Sequence, residues 1–476
     1  MKKLALNEIA KAVQGQVQAE DPDAVWIDHV VFDARQAQPG SLFVPLSGQR
    51  DGHDFAQQAL DNGAVAAFWS KDPAQAPAGL ALIQVSDTLA ALHDLAAYYL
   101  SLIQPKVVAI TGSSGKTTTK DMTAACLSVA YRVHKTQGNY NNEIGVPITI
   151  LEMPEETEVL VLEMGMSNFG EIRELSLLAQ PDLAVITMIG EDHLEFLKTK
   201  ANIAKAKLEI LDGLKEGGSF IYPGEEDLIT SQLGNIREDI ETLSVGLTEN
   251  QDVYALDIIV DQYQTQFSSN LSPTVQLTIP VSGRYNVVNA LDACAVSYRL
   301  GLSIEQIQDA LANFQMTANR TAWIEGINES QVLDDTYNAS PSAMKAVISN
   351  FVQVPRAGDA QQGRKLYVLA DMLELGPDAG QLHASVAEVL ALEDQDQVLL
   401  YGLEMEALYE RLLAAGQARP DQVHYFKEDK AALIAWLENH TRHYDQILVK
   451  GSHGMGLLEV VEALRRPDIE SQAKED

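Results

Sequence analysis

The run Val107-Val108-Ala109-Ile110-Thr111-Gly112-Ser113-Ser114-Gly115-Lys116-Thr117-Thr118 passes from apolar residues, through two glycines, into a polar segment. Residues 107–110 predict a buried strand and residues 117–130 a helix. Between them the glycines let the backbone turn tightly and aim N–H groups at phosphate oxygens. The helix start adds a favourable dipole. Lys116 is placed to reach the β- and γ-phosphates of a nucleotide, and the Thr117 hydroxyl to ligate Mg²⁺. Ile110 stands at the first glycine position of G-x-x-x-x-G-K-[ST], so the loop is a variant of the form T-G-x-x-G-K-T. Thr111, Gly112, Ser113, Ser114, Gly115, Lys116, Thr117 and Thr118 form the expected nucleotide-binding set, with ATP and Mg²⁺ as its ligands. A bare Gly-rich turn is the alternative, and the strand–turn–helix context argues against it.

Outward from this loop, residues 159–162 and 183–188 are continuous apolar runs, each leading into polar residues and then a helix-like segment. Such alternation predicts a parallel sheet covered on both faces. Residues 250–282 alternate instead and predict strands appended to that sheet, before a strong helix at 286–300. Upstream, residues 1–104 mix short strands (64–69 among them) with helices at 55–60 and 89–102. Downstream, strand-like runs at 333–335, 366–370, 397–401 and 446–450 alternate with helices at 342–351, 383–390, 405–414 and 430–440. The expected fold is α/β in three domains: a small α/β unit (1–104), a central P-loop parallel-sheet unit (105–316) and a Rossmann-like unit (317–476). The polar tail after Pro467 is expected to fray.

The 476 residues are too many for one core. The formal charge of −33, from 67 acidic and 34 basic residues, argues against a nucleic-acid partner. It leaves phosphate ligands open, because backbone N–H groups, one lysine and Mg²⁺ hold those locally. Two cysteines, Cys126 and Cys294, exclude a disulfide framework and fit a reducing compartment. No run is long enough to span a bilayer, and Asn7, Glu8 and Lys11 break up any signal-peptide core. A cytoplasmic monomer is expected.

Ligands of open α/β sheets bind beyond the carboxyl ends of the strands. Glu163 and His193 fall there. A strand-end carboxylate suits the Mg²⁺ of MgATP, although a solvated glutamate is the plainer reading. A lone histidine is more often structural than a ligand. By spacing alone, Lys205 and Lys207 are surface lysines.

Taken together, these segments resemble the Mur ligase family of peptidoglycan synthesis over nearly the whole chain. Asp33-Ala34-Arg35, Pro39 to Val44 and Asp51-Gly52-His53-Asp54-Phe55 look like the family's UDP-sugar module. Gly138-Asn139-Tyr140-Asn141-Asn142-Glu143 and Asp335-Thr336-Tyr337-Asn338-Ala339-Ser340 look like its dipeptide-adding members. The absence of an Asp-Asn-Pro-Arg motif points the same way.

The resemblance implies an ATP-dependent ligase that forms an acyl phosphate on UDP-N-acetylmuramoyl-tripeptide and transfers it to D-alanyl-D-alanine. It implies a catalytic set of Lys116, Glu163, His193 and Lys207. Thr117 and Glu163 would hold one Mg²⁺. His193 and a CO₂-derived carbamate on Lys207 would serve a second, since a carbamate offers the anionic oxygen that Mg²⁺ prefers. It also implies that Asn286 and Asn289 lie near adenine, and that Arg320 and Asp335 meet phosphate and ribose. Asp33, Arg35, Phe43, Asp51, Gly52, His53, Asn139, Asn141, Asn142, Tyr337 and Asn338 would contact substrates. Ser114, Ser340 and His453 stand where the family commonly has Asn, Asn and Arg. A ligase adding the third amino acid, and a P-loop NTPase of another role, are the alternatives.

Overall fold

The computed structural model describes residues 1–317, 320–358 and 362–466. The expected frayed tail and the Ala318-Asn319 junction lie outside the described residues.

A nine-stranded sheet is built around strand Lys106–Thr111. Its parallel neighbours are Val159–Glu163 on one side and Leu183–Ile186 on the other. The chain first lays down Val133–Lys135 and Val159–Glu163 on one flank. It then crosses to the other flank for Leu183–Ile186, Ser219–Pro223 and Glu241–Gly246. Lys106–Thr111 is therefore the switch point, where the connections diverge and leave a crevice at the carboxyl ends. Its apolar residues are fully buried because helices cover both faces. Residues 250–282 extend the sheet as expected, through the antiparallel strands Val253–Val260, Thr265–Ser269 and Ser272–Ile279.

The N-terminal unit carries a five-stranded sheet, and strand Ala64–Trp69 lies within it as expected. Helix Thr88–Ile103 packs its apolar stripe against helix Gly145–Glu152. Tyr99 donates its hydroxyl to the Met153 carbonyl at 2.7 Å. One continuous apolar core joins Leu92, Leu95 and Tyr99 to Ile150, Leu160 and Ile172. The third unit is a six-stranded sheet with separate apolar layers on its two faces. Its strands are parallel except for the edge strand Ala322–Glu325.

The expected helix at 383–390 instead begins at Ala379 and tightens into a 3₁₀ turn at Ser385–Val389. Pro377 opens the preceding 3₁₀ turn with a preset φ, which starts the helical winding early.

Candidate functional site

The loop expected to hold phosphate leaves Thr111 and enters helix Lys116–Leu127. Gly112 (φ +150°) and Gly115 (φ +85°) lie in backbone regions that disfavour side chains. A Cβ at Gly112 would collide with the Thr187 hydroxyl, and one at Gly115 with the Asn289 side-chain oxygen. The loop is braced from outside: Ser113 donates its N–H to the Met188 carbonyl at 2.9 Å, and Thr187 donates to the Ser114 carbonyl. Lys116 folds back and donates to the Gly112 carbonyl at 2.7 Å. Thr117 and Thr118 are buried at the helix start. Asn286 and Asn289, from helix Arg284–Arg299, are buried behind the loop. Asn286 anchors to the Ser282 carbonyl at 2.8 Å, and Asn289 faces Gly115 and the Thr119 hydroxyl.

The loop floors a cleft of about 880 Å³ between the central and C-terminal units. Glu163, at the end of its strand, is 2% exposed. Its Oε1 accepts from the Asn141 side chain at 2.9 Å, and its Oε2 has no hydrogen-bond partner. Lys120 approaches Oε2 only to 3.9 Å. Asp192, unmarked in the sequence, pairs its Oδ2 with the Lys207 ammonium at 3.1 Å and leaves Oδ1 without a partner. Two buried carboxylate oxygens beside one cleft are costly unless a cation or donor completes them. Among the described residues, no three His, Cys, Asp or Glu side chains form a ready cation cage. That suits Mg²⁺, which keeps waters and shares phosphate oxygens rather than filling an all-protein site.

Lys207 is 1% exposed, which reverses its reading as a surface lysine. Helix Lys200–Leu208 turns it inward toward Asp192 while Lys205 stays at the surface. His193 sits at a left-handed turn and bonds Glu374 of the C-terminal unit at 2.6 Å through Nδ1. Lys116 is crowded by burial and by the Lys207 charge, against the opposing pull of Glu163 and Asp192. Its pKa is pushed down to about 8. At Asp192 burial works upward, but the Lys207 and Lys116 charges outweigh it, so the carboxyl stays below its ordinary range.

Across the cleft, Arg320 lies over the Tyr337 ring at 3.8 Å, and its buried Nε has no partner. Asp335 is engaged on both oxygens: Oδ1 accepts from the Thr321 N–H at 3.0 Å, and Oδ2 meets Lys450. Lys450 also donates to the Asn338 carbonyl at 2.9 Å. Asn139, Asn141, Asn142, Tyr337, Asn338 and His453 all line the cleft. Asn142 accepts from the Gly145 N–H at 2.9 Å, at the start of helix Gly145–Glu152.

The N-terminal candidates do not line this cleft. Phe43 is buried. His53 packs edge-on against Trp69 and bonds Asp51 at 2.8 Å, and Asp51 also pairs with Lys71. Gly52 packs against the Leu46 backbone, where a Cβ would intrude. Arg35 is exposed and forms a bidentate pair with Asp33.

Three family models match the chain: the Mur ligase family catalytic domain over residues 27–100, the middle domain over 110–297 and the glutamate ligase domain over 319–453. A UDP-N-acetylmuramoyl-tripeptide--D-alanyl-D-alanine ligase of Bacillus subtilis is 40% identical, over 98% of this chain and 99% of its own. The chain belongs to the Mur ligase family. Each matched stretch of this Mur ligase falls on one of its three large sheets. Among solved Mur ligases, MurF from Acinetobacter baumannii superposes with a TM-score of 0.86 at 29% identity, covering 97% of this chain and 98% of its own. MurF from Thermotoga maritima, solved in complex with ADP, gives 0.78 at 28% identity over 91% and 96%.

Asp192, Thr187 and Glu374 were missed as site residues. For Asp192 the available signal was its place beside His193 in the polar segment that follows strand Leu183–Ile186. Nothing local marks Glu374, which joins the site from another unit.

Proposed function

We propose that this enzyme is the ATP-dependent ligase that joins D-alanyl-D-alanine to UDP-N-acetylmuramoyl-tripeptide, an ADP-forming step of peptidoglycan precursor synthesis. The terminal carboxylate of the tripeptide takes the γ-phosphoryl group of ATP. The dipeptide amine then displaces phosphate from the acyl phosphate and forms the amide. The observation that carries this reading is the pair of unpartnered buried oxygens, Glu163 Oε2 and Asp192 Oδ1, beside a glycine-lined loop and Lys116. That is a place for phosphate and cation together.

Thr117 and Glu163 would hold one Mg²⁺, with His193 and a Lys207 carbamate serving a second. Bound there, Mg²⁺ supplies positive charge where the transferring phosphoryl group carries negative charge. The burial of Lys207 against Asp192 supports the carbamate. Modification would turn a cation–anion pair into two anions, whose charge a divalent ion would offset. Lys116 contacts the phosphates once it releases the Gly112 carbonyl. Arg320 offers a free guanidinium edge to phosphate, Asp335 serves the ribose, and Asn286 and Asn289 line the adenine side. Asp33, Arg35, Phe43, Asp51, Gly52 and His53 shape the seat of the UDP-sugar. Phe43 and His53 act through the backbone they hold rather than by contact. Asn139, Asn141, Asn142, Tyr337 and Asn338 face the peptide. A cytoplasmic site suits ATP chemistry and two buried free thiols, and among the described residues no helix is long and apolar enough to cross a membrane.

The test is mass spectrometry of products formed from ATP, Mg²⁺ and UDP-tripeptide with D-alanyl-D-alanine or single amino acids. The expected product carries the dipeptide, with one phosphate released per amide. Amide formation with a single amino acid alone would replace this reading by that of a neighbouring ligase. Lys207→Ala is expected to lose most turnover, with no rescue by CO₂. Parental turnover in that variant removes the carbamate.

A further inference from the structure

We infer that Glu374 is a positioning residue for this reaction: it reaches from the C-terminal unit and fixes the His193 ring so that Nε2 faces the cation site. The inference rests on the proposed cation role of His193. A carboxylate can only accept, so the 2.6 Å contact places the ring proton on Nδ1 and the lone pair on Nε2. Nε2 is turned toward Asp192, 3.9 Å from Oδ2. Ligating histidines depend on such an outer partner for tautomer and orientation.

The contact is built from both sides. His193 (φ +55°) and Glu374 (φ +62°) each hold a left-handed backbone, uncommon for residues with a Cβ. Beside the side-chain contact, the Glu195 N–H donates to the Glu374 carbonyl at 2.8 Å. The loop bearing Glu374 is pinned at successive residues. Met372 donates its N–H to His383 Nε2 and Leu373 donates its N–H to Ser452 Oγ, both at 2.9 Å. Ser452 in turn donates its N–H to the Asp371 carbonyl at 3.0 Å. His383 carries its ring hydrogen on Nδ1 and donates it to the Ala379 carbonyl at 2.7 Å, which leaves Nε2 free to accept. A loop held this firmly presents Glu374 in one place. The His193 ring is therefore oriented only when the central and C-terminal units are together, and cation affinity depends on their closure.

The experiment combines NMR of histidine ring nitrogens in the ligand-free protein with Mn²⁺ binding, followed by electron paramagnetic resonance, in the presence of a non-hydrolysable ATP analogue. His193→Ala assigns the His193 signals among the ten histidines. The parent is expected to carry the proton on Nδ1. Glu374→Gln keeps that tautomer because its amide oxygen still accepts. Glu374→Ala loses it and binds Mn²⁺ roughly 10- to 100-fold more weakly, the range typical of lost outer partners. The Glu374 side chain is 46% exposed, so its removal leaves the core intact. Glu374→Asp, one methylene short, gives a second variant with the same expected loss. In turnover assays, Glu374→Ala raises the half-saturating Mg²⁺ concentration while kcat at saturating Mg²⁺ is retained. An Nδ1–H tautomer or parental Mn²⁺ affinity in both Glu374→Ala and Glu374→Asp overturns the inference. Parental Mn²⁺ affinity in His193→Ala would instead sink the cation role of His193, while the tautomer readout still judges the Glu374 contact.

Discussion

Lys116 carries the most consequential charge in the cleft. Burial, reinforced by the Lys207 ammonium, lowers its pKa to about 8 from an ordinary 10.5. Between these two values the unfolded chain holds a proton that the folded, ligand-free protein has lost, so this residue's contribution to stability rises with pH across that window. Nucleotide binding has the opposite sign, because phosphate needs the ammonium. With Lys207 unmodified, affinity for ATP is expected to be flat below pH 8 and to weaken above it, by about tenfold per pH unit where one proton governs binding. Calorimetric titration of ATP into the CO₂-depleted protein across the alkaline range checks this, because a carbamate on Lys207 removes the crowding ammonium. Constant affinity up to the ordinary lysine range contradicts the crowding by burial and Lys207.

Helix Lys116–Leu127 does more than present the loop. It buries Lys120 and Asp121 one turn beyond Lys116. Asp121 lies 3.4 Å from Lys120, accepts from Lys135 at 2.7 Å, and accepts from the Thr317 hydroxyl at 2.8 Å and its N–H at 3.1 Å. One carboxylate thus ties the phosphate-loop helix to the chain leaving the central unit. Burial pushes its pKa upward, but the Lys120 and Lys135 charges win and hold it below the ordinary range. Asp121→Ala strands Lys120 without its nearest counter-ion. By the usual size of such losses it is expected to cost about 3–5 kcal/mol in urea denaturation. Asp121→Asn keeps a hydrogen bond for Thr317 and is expected to cost less. Equal stability of Asp121→Ala and the parent would refute the tie.

Across the whole molecule the two junctions differ in kind. The N-terminal and central units share an apolar core through Tyr99 and Ile150. The central and C-terminal units share no such core: they meet through the polar contacts His193–Glu374, Glu191–Ser342, Gln262–Gln331 and Asn350–Ser282, with Leu194 and Tyr285 packed against the edge of the C-terminal apolar layer and Tyr263 against Trp323. An apolar core resists sliding, whereas polar interfaces exchange with water at little net cost. A joint near residue 105, between the first two units, would have to break that shared core, so we propose the chain near residue 317 as the one that yields. Solution scattering with ATP analogue and UDP-tripeptide is expected to show a smaller radius of gyration than the ligand-free protein. The contraction should be absent when a disulfide is engineered across the central and C-terminal units in their observed contact. An unchanged radius in the parent argues against closure as the means of excluding water from the acyl phosphate.

Local periodicity determined the strands at 397–401 and 446–450 and the helix at 430–440, because a buried face repeats along its own element. The Gly112–Thr118 loop was legible for a similar reason, since tight turns and phosphate cradles need particular residues at fixed spacing. Lys207 and Glu374 were not legible from composition or spacing. Whether a lysine faces solvent or Asp192 depends on which elements pack above it, and Glu374 meets His193 only after two distant segments fold together. Asn141 shows both sides of this. The motif that holds it stood out in sequence, but its bond to Glu163 arises only because separate segments converge at the sheet's carboxyl edge. Sequence alone determined most of the elements (the helix expected at 383–390 excepted), the phosphate loop and the family. Tertiary structure alone decided which charges were taken out of water, because desolvation is set by neighbours that no local pattern encodes.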